Sequence, residues 1–137
     1  MDWKECCQKR IVKQVELDEN LISSLKKTSG NKLKSSDELK MNNINASSKV
    51  SLAYDSLREI LGALSLKKGY KIYNHECYAS FLKEIINESE KGDEFDELRK
   101  IRNDINYYAK NISVEESEEI IKRIKNLRHL ILKIIGE

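Results

Sequence analysis

Proline is missing from this chain, and glycine occurs only 5 times in 137 residues. Sandwiches and barrels turn at short intervals and rely on those two residues to do so. Such a chain folds most readily into a few long helices. Its 39% hydrophobic and 35% charged residues suit helices with one buried stripe and one wet face, and they exclude wholesale disorder. The length gives one domain with one core. Net charge is only +2, so affinity for nucleic acid has to come from a local cluster of cations.

No run approaches the roughly 18 apolar residues of a membrane span. The first residues, Met1-Asp2-Trp3-Lys4-Glu5, lack the apolar core of a signal peptide. The expectation is a cytoplasmic protein without membrane contact. Three cysteines, Cys6, Cys7 and Cys77, make an odd count with an adjacent pair, which is no disulfide framework. Free thiols are expected, at least one of them buried as a small hydrophobe.

Residues 1–17 read as an N-terminal lead-in. Trp3, Cys7, Ile11 and Val15 fit a short helix, while Val12, Val15 and Leu17 fit an extended stretch. Asp18 is an N-cap with Glu19 in the first turn, and a helix over roughly 18–41 follows. Its stripe includes Ser29 and Ser36, small enough to admit a neighbouring helix closely. The next stripe, Ala46, Val50, Ala53, Leu57, Ile60 and Leu64, is widened by Tyr54 and Leu61 and predicts an inner helix ending at Gly69. Asn74 caps a third helix carrying Cys77, Tyr78, Phe81, Leu82 and Ile85. Gly92-Asp93 marks a break, and a fourth helix carries Phe95, Leu98, Ile101, Ile105 and Tyr108 inward. Ser113 and Glu116 form a capping box before a last helix that ends near Gly136. The fold class is therefore all-α, an antiparallel up-and-down bundle of four to five helices over 18–137.

Three stretches carry a family likeness. They are Ala53-Tyr54-Asp55-Ser56-Leu57-Arg58-Glu59-Ile60-Leu61; Lys68-Gly69-Tyr70 followed by Asn74-His75-Glu76 and Phe81-Leu82; and Leu98-Arg99-Lys100-Ile101-Arg102-Asn103-Asp104-Ile105-Asn106-Tyr107-Tyr108. In this order the chain resembles small stand-alone HEPN proteins of archaeal type. The resemblance implies a helical bundle that forms a homodimer. It also implies metal-independent ribonuclease activity, often as a toxin paired with a nucleotidyltransferase antitoxin, or a non-catalytic module that binds nucleotides, RNA or partner proteins. Active relatives follow their Arg and polar residue with a His. Here Arg102 and Asn103 match, but the His positions hold Tyr107, Tyr108 and Ala109.

A phenol with pKa near 10 shuttles protons poorly at neutral pH, whereas an imidazole near 6.5 does so well. On an ideal helix Tyr107 lies roughly 140° round from Arg102, so the two side chains are not expected to meet within one chain. A dimer groove would gather Arg102, Asn103, Asn106 and Tyr107 as an anion- and nucleotide-binding set without a catalytic base. The leading expectation is a homodimeric binding module for a nucleotide, RNA or a nucleotidyltransferase-type antitoxin. The alternatives are a ribonuclease toxin with a variant Arg-Asn motif and a purely structural dimer. Arg102 in an ion pair and Asn103 as a packing amide are the plainer readings of the same residues. Arg123 and His129 also satisfy the bare spacing, in the last helix, and read as chance. His75 with Glu76 and Cys77 suggests a metal, but a zinc site wants several ligands at hairpin or helical spacing and Cys6-Cys7 lacks it, so His75 reads as a helix-terminal residue and no metal or cofactor is expected.

Overall fold

The computed structural model describes residues 1–136; Glu137 lies outside the described residues. The elements run α1 (Trp3–Gln8), β1 (Val12–Gln14), α2 (Glu19–Glu38), α3 (Ala46–Lys67), β2 (Tyr70–Ile72), α4 (Glu76–Ser80), α5 (Ser89–Tyr107) and α6 (Val114–Gly136). A π-helical turn, Phe81–Ile85, extends α4. The architecture is an all-α helical bundle with one small antiparallel ladder, in which Val12 faces Ile72 and Gln14 faces Tyr70.

The wide stripe of α3 makes it the inner helix, as its pattern predicts, and it packs on α2, α5 and α6. Leu57, Ile60, Leu61 and Leu64 are completely buried there, against Phe81, Phe95, Ile124, Leu127 and Ile131. The small residues of α2 let it approach α3 and then bond to its backbone. The Ser29 hydroxyl donates to the Ser56 carbonyl at 2.7 Å, and Ser36 donates to the Lys49 carbonyl at 2.8 Å. These partners descend along α3 as they ascend along α2, so the two helices are antiparallel. Burying charge in this seam demands partners. Lys49 donates to the carbonyls of Ser36 and Leu39 at the end of α2, and buried Glu59 accepts from Thr28 and Lys32.

Residues 1–17 hold both a helix and a strand, and both join the main core: Cys6 and Val12 are buried, and Trp3 packs against it. The cysteine expectation fails. Cys6 and Cys77 form a disulfide, with Cα atoms 6.1 Å apart, and only Cys7 is an exposed free thiol. Pairing needs two Cα atoms within bonding range, and it is the docking of α1 on α4, not sequence spacing, that supplies them.

Two other expectations are corrected. Gly92-Asp93 is no break: α5 starts at Ser89, and the chain turns at Asn87, where φ is +64°. Gly92 instead permits close contact between helices. A Cβ there would lie 2.8 Å from the Ala79 carbonyl oxygen and 2.5 Å from Lys83 Cγ. Tyr108 is not core. The helix stops at Tyr107, so the apolar period runs past its end and leaves Tyr108 77% exposed. At the other boundaries, Gly69 has φ +91° just beyond α3, and the Ser113 hydroxyl accepts from the Glu116 N–H at 3.1 Å. No helix among the described residues is long and apolar enough to cross a membrane.

Two glycines inside helices should therefore respond oppositely to one added methyl group. At Gly30 the nearest atom to a new Cβ is Arg128 Nη2 at 3.9 Å, so Gly30→Ala should stabilise by about 0.5–1 kcal/mol. Gly92→Ala should destabilise by about 1–3 kcal/mol, because a backbone oxygen stands in the way. Urea denaturation of both variants tests this, and equal signs would contradict the packing described.

Candidate functional site

The middle of α5 carries Arg99 and Arg102 one turn apart, on the side facing the segment between β2 and α4. A cleft of about 290 Å³ opens there, lined by Tyr73, Asn74 and His75 on one wall and by Arg99, Arg102, Asn103 and Tyr107 on the other. Buried Tyr54 of α3 touches both walls from within the core. The Arg102 guanidinium stands over the Tyr54 ring, with Cζ 5.3 Å from the centroid, a cation–π arrangement. The Tyr54 hydroxyl lies 3.1 Å from Nδ1 of His75.

Burial raises the Tyr54 phenol well above its ordinary value of 10, although Arg102, Arg99 and Arg58 pull the other way. The phenol therefore keeps its proton, and it shares one hydrogen bond with Nδ1, whose direction is set by the tautomer of His75. His75 itself is pushed down to about 4, first by burial and then by Arg58, Arg102 and Arg99. The imidazole is neutral at pH 7 because it is buried and because its surroundings are already cationic. Tyr78, packed beside His75 with ring centroids 6.4 Å apart, is pushed up to about 12 by burial.

The two arginines differ in how firmly they are held. Arg99 bonds Asp96 through both Nε and Nη2 at 2.9 Å. Arg102 reaches Asp55 only at 3.4 Å, and its Nε is buried without a hydrogen-bond partner. A buried donor left unpaired costs about 1–3 kcal/mol, and an incoming acceptor recovers it. Arg58, Arg99 and Arg102 all act on His75, while the acids that meet them are Asp55, bonded to Arg102, and Asp96, which Arg99 shares with Lys100, so cations outnumber acids.

Three of the four residues expected to share a site, Arg102, Asn103 and Tyr107, line this cleft within a single chain. The helical angle between Arg102 and Tyr107 does not separate them, because Tyr107 is the last residue of α5 and 71% exposed. Asn106 is drawn elsewhere: its Oδ1 accepts from Ser51 of α3 at 3.1 Å. Sequence reasoning missed the contribution of His75, Tyr73 and Arg99. His75 comes from another element, so spacing along α5 could not reveal it. The only available signal was Asn74-His75 directly after a short apolar stretch.

Competing features are engaged otherwise. Arg123 bonds Glu97 at 2.6 Å, and His129 is exposed. Cys77 is in the disulfide, and among the described residues no three His, Cys, Asp or Glu side chains are grouped to hold a metal. A larger cleft, about 450 Å³ between α2 and α6 with Lys49 of α3 at its side, has lysines that are mostly committed. Lys125 pairs with Asp37 at 2.7 Å, and Lys49 is bound to backbone carbonyls.

The state of His75 makes stability depend on pH. An unfolded chain protonates this histidine near 6.5, and the folded chain does so only near 4. Between those values the unfolded state binds more protons. The contribution is complete above pH 6.5 and is lost as pH falls towards about 4. His75→Gln should flatten that part of the stability profile, and NMR should place the folded imidazole's midpoint near 4. A midpoint near 6.5 would contradict the buried, cation-flanked setting.

No family model matches the chain, and neither does any curated protein or solved structure.

Proposed function

We propose that the cleft between α4 and α5 binds the phosphate of a nucleotide or of an RNA strand. The protein would be a HEPN-type binding module that acts as a homodimer, with a nucleotidyltransferase-type antitoxin as its protein partner. The observation carrying the proposal is Arg102, which lines a cleft with excess positive charge, has its Nε buried without an acceptor and reaches its ion-pair partner, Asp55, only at 3.4 Å. The guanidinium fork suits phosphate oxygens. Exposed Tyr107 offers a ring face at the rim for a base to stack on, while the ring of Tyr73 is already met by the ammonium groups of Lys13 and Lys71. The volume lies at the lower end of small-molecule sites, which fits one nucleotide unit better than a dinucleotide.

One observation favours a second reading, a metal-independent ribonuclease with a variant Arg-Asn motif. His75 brings an imidazole to the cleft that Arg102 lines, although the Arg102 helix supplies none at the expected positions. Neutral at pH 7, it carries one ring lone pair, and in one of its two tautomers the Tyr54 hydroxyl competes for that lone pair at Nδ1. Its low basicity further weakens it as a general base. Binding is therefore the leading reading.

Calorimetric titration with adenosine 5′-monophosphate and with inorganic phosphate tests the proposal. Arg102→Ala should weaken binding about tenfold or more, the scale of a charge-assisted hydrogen bond. Tyr107→Ala should weaken the nucleotide but not inorganic phosphate. Absence of binding, or binding indifferent to Arg102, would refute the site. Cleavage of RNA in a chelator, abolished by His75→Ala and by Arg102→Ala, would promote the second reading.

A further inference from the structure

The wall of the cleft that carries His75 has little stability of its own. Tyr73, Asn74 and His75 form the short link between β2 and α4, and α4 is a five-residue helix running into a π-helical turn. A helix so short is marginal without tertiary support. The N-terminal segment supports the link on both sides. Upstream, β1 pairs with β2, and the Tyr73 N–H donates to the Ile11 carbonyl at 2.9 Å. Downstream, Cys6 of α1 is bonded to Cys77, two residues past His75. Trp3 reinforces both ends, with ring centroids 5.1 Å from Tyr70 and 5.8 Å from Phe81. Most of the buried core residues belong to α3, α5 and α6, and the brace adds only Cys6, Val12 and Ile72 to them.

We infer that the Cys6–Cys77 disulfide is a redox latch on the cleft: closed, it holds His75 against Tyr54 and the site binds tightly; opened, the α4 wall loosens and affinity falls. This regulation rests on the cleft being the ligand site. Opening is a two-electron step in which a dithiol reductant gives up its two thiol hydrogens, the Cys6–Cys77 bond breaks to two thiols, and the reductant closes to its own disulfide. Both cysteines are completely buried, so a reductant reaches the sulfurs only when α1 lifts. The latch therefore responds slowly, and Trp3→Ala should hasten its reduction. Cys7, exposed and unpaired, takes no part.

The test compares the full chain oxidised and reduced by dithiothreitol. Peptide mass mapping verifies the linkage, adenosine 5′-monophosphate titration gives affinity, and amide exchange reports on residues 73–80. The oxidised chain should bind about tenfold tighter, within the usual span of coupling between two sites. Reduction should speed exchange in 73–80 while the far-UV helical signal persists. Cys6→Ser should reproduce the reduced state and ignore dithiothreitol, whereas Cys7→Ser should behave as wild type. Equal affinity in both redox states would overturn the latch and leave the binding site standing. Absence of binding in both would overturn the site reading, and the latch with it. Loss of the helical signal on reduction would make the disulfide a staple of the whole fold and overturn the latch.

Discussion

Tyr54 joins the core of this protein to its only cleft with an unpaired arginine donor among the described residues. Its ring is buried in α3 and lies nearly parallel to Phe95 of α5, with centroids 5.9 Å apart. Arg102 stands over the same ring, and the hydroxyl holds His75. One side chain thus fixes the relative placement of α3, α4 and α5, and it also sets the charge state of the site. Because the phenol is buried it stays neutral. Burial first, and then the arginines around it, keep the histidine neutral too. The cleft keeps its excess positive charge without a counter-ion of matching strength, and the attraction for an anion follows from that imbalance.

The bundle tolerates this imbalance because its other buried charges are satisfied internally. Glu59 and Lys49 lie in the α2–α3 seam, yet each meets partners on α2. Arg128 of α6 is lowered in pKa by burial and donates to Ser29 at 3.0 Å. Those groups specify how α2, α3 and α6 fit together. Arg102 differs from them in having a buried nitrogen with no acceptor, and an ion pair stretched to 3.4 Å. Arg102 is also the one of these cations that lines the cleft between α4 and α5.

The helices were legible in the sequence because a buried stripe has to repeat with the helical period, and α2, α3 and α6 are long enough to display it. Errors arose where one residue type serves two physical ends. Gly92 resembled a turn glycine but provides clearance for Ala79 and Lys83. Tyr108 kept the period after the helix had ended. The Cys6–Cys77 bond depends on where α1 docks, which no local pattern encodes. In the same way, the α5 half of the cleft could be read from Arg102 and Asn103, while His75 had to be brought in by the fold. Asn106 shows the converse: it stands near Arg102 in sequence, and Ser51 holds it elsewhere.

The central claim is that this cleft, and no other basic region, receives an anion. Side-chain and backbone ¹H–¹⁵N spectra during addition of adenosine 5′-monophosphate measure it most directly. The account predicts that the Arg102 Nε–H resonance moves most, together with the backbone of residues 73–75 and 99–103. Shifts centred on Lys122 and Lys125 in the α2–α6 cleft, with Arg102 unmoved, would contradict it.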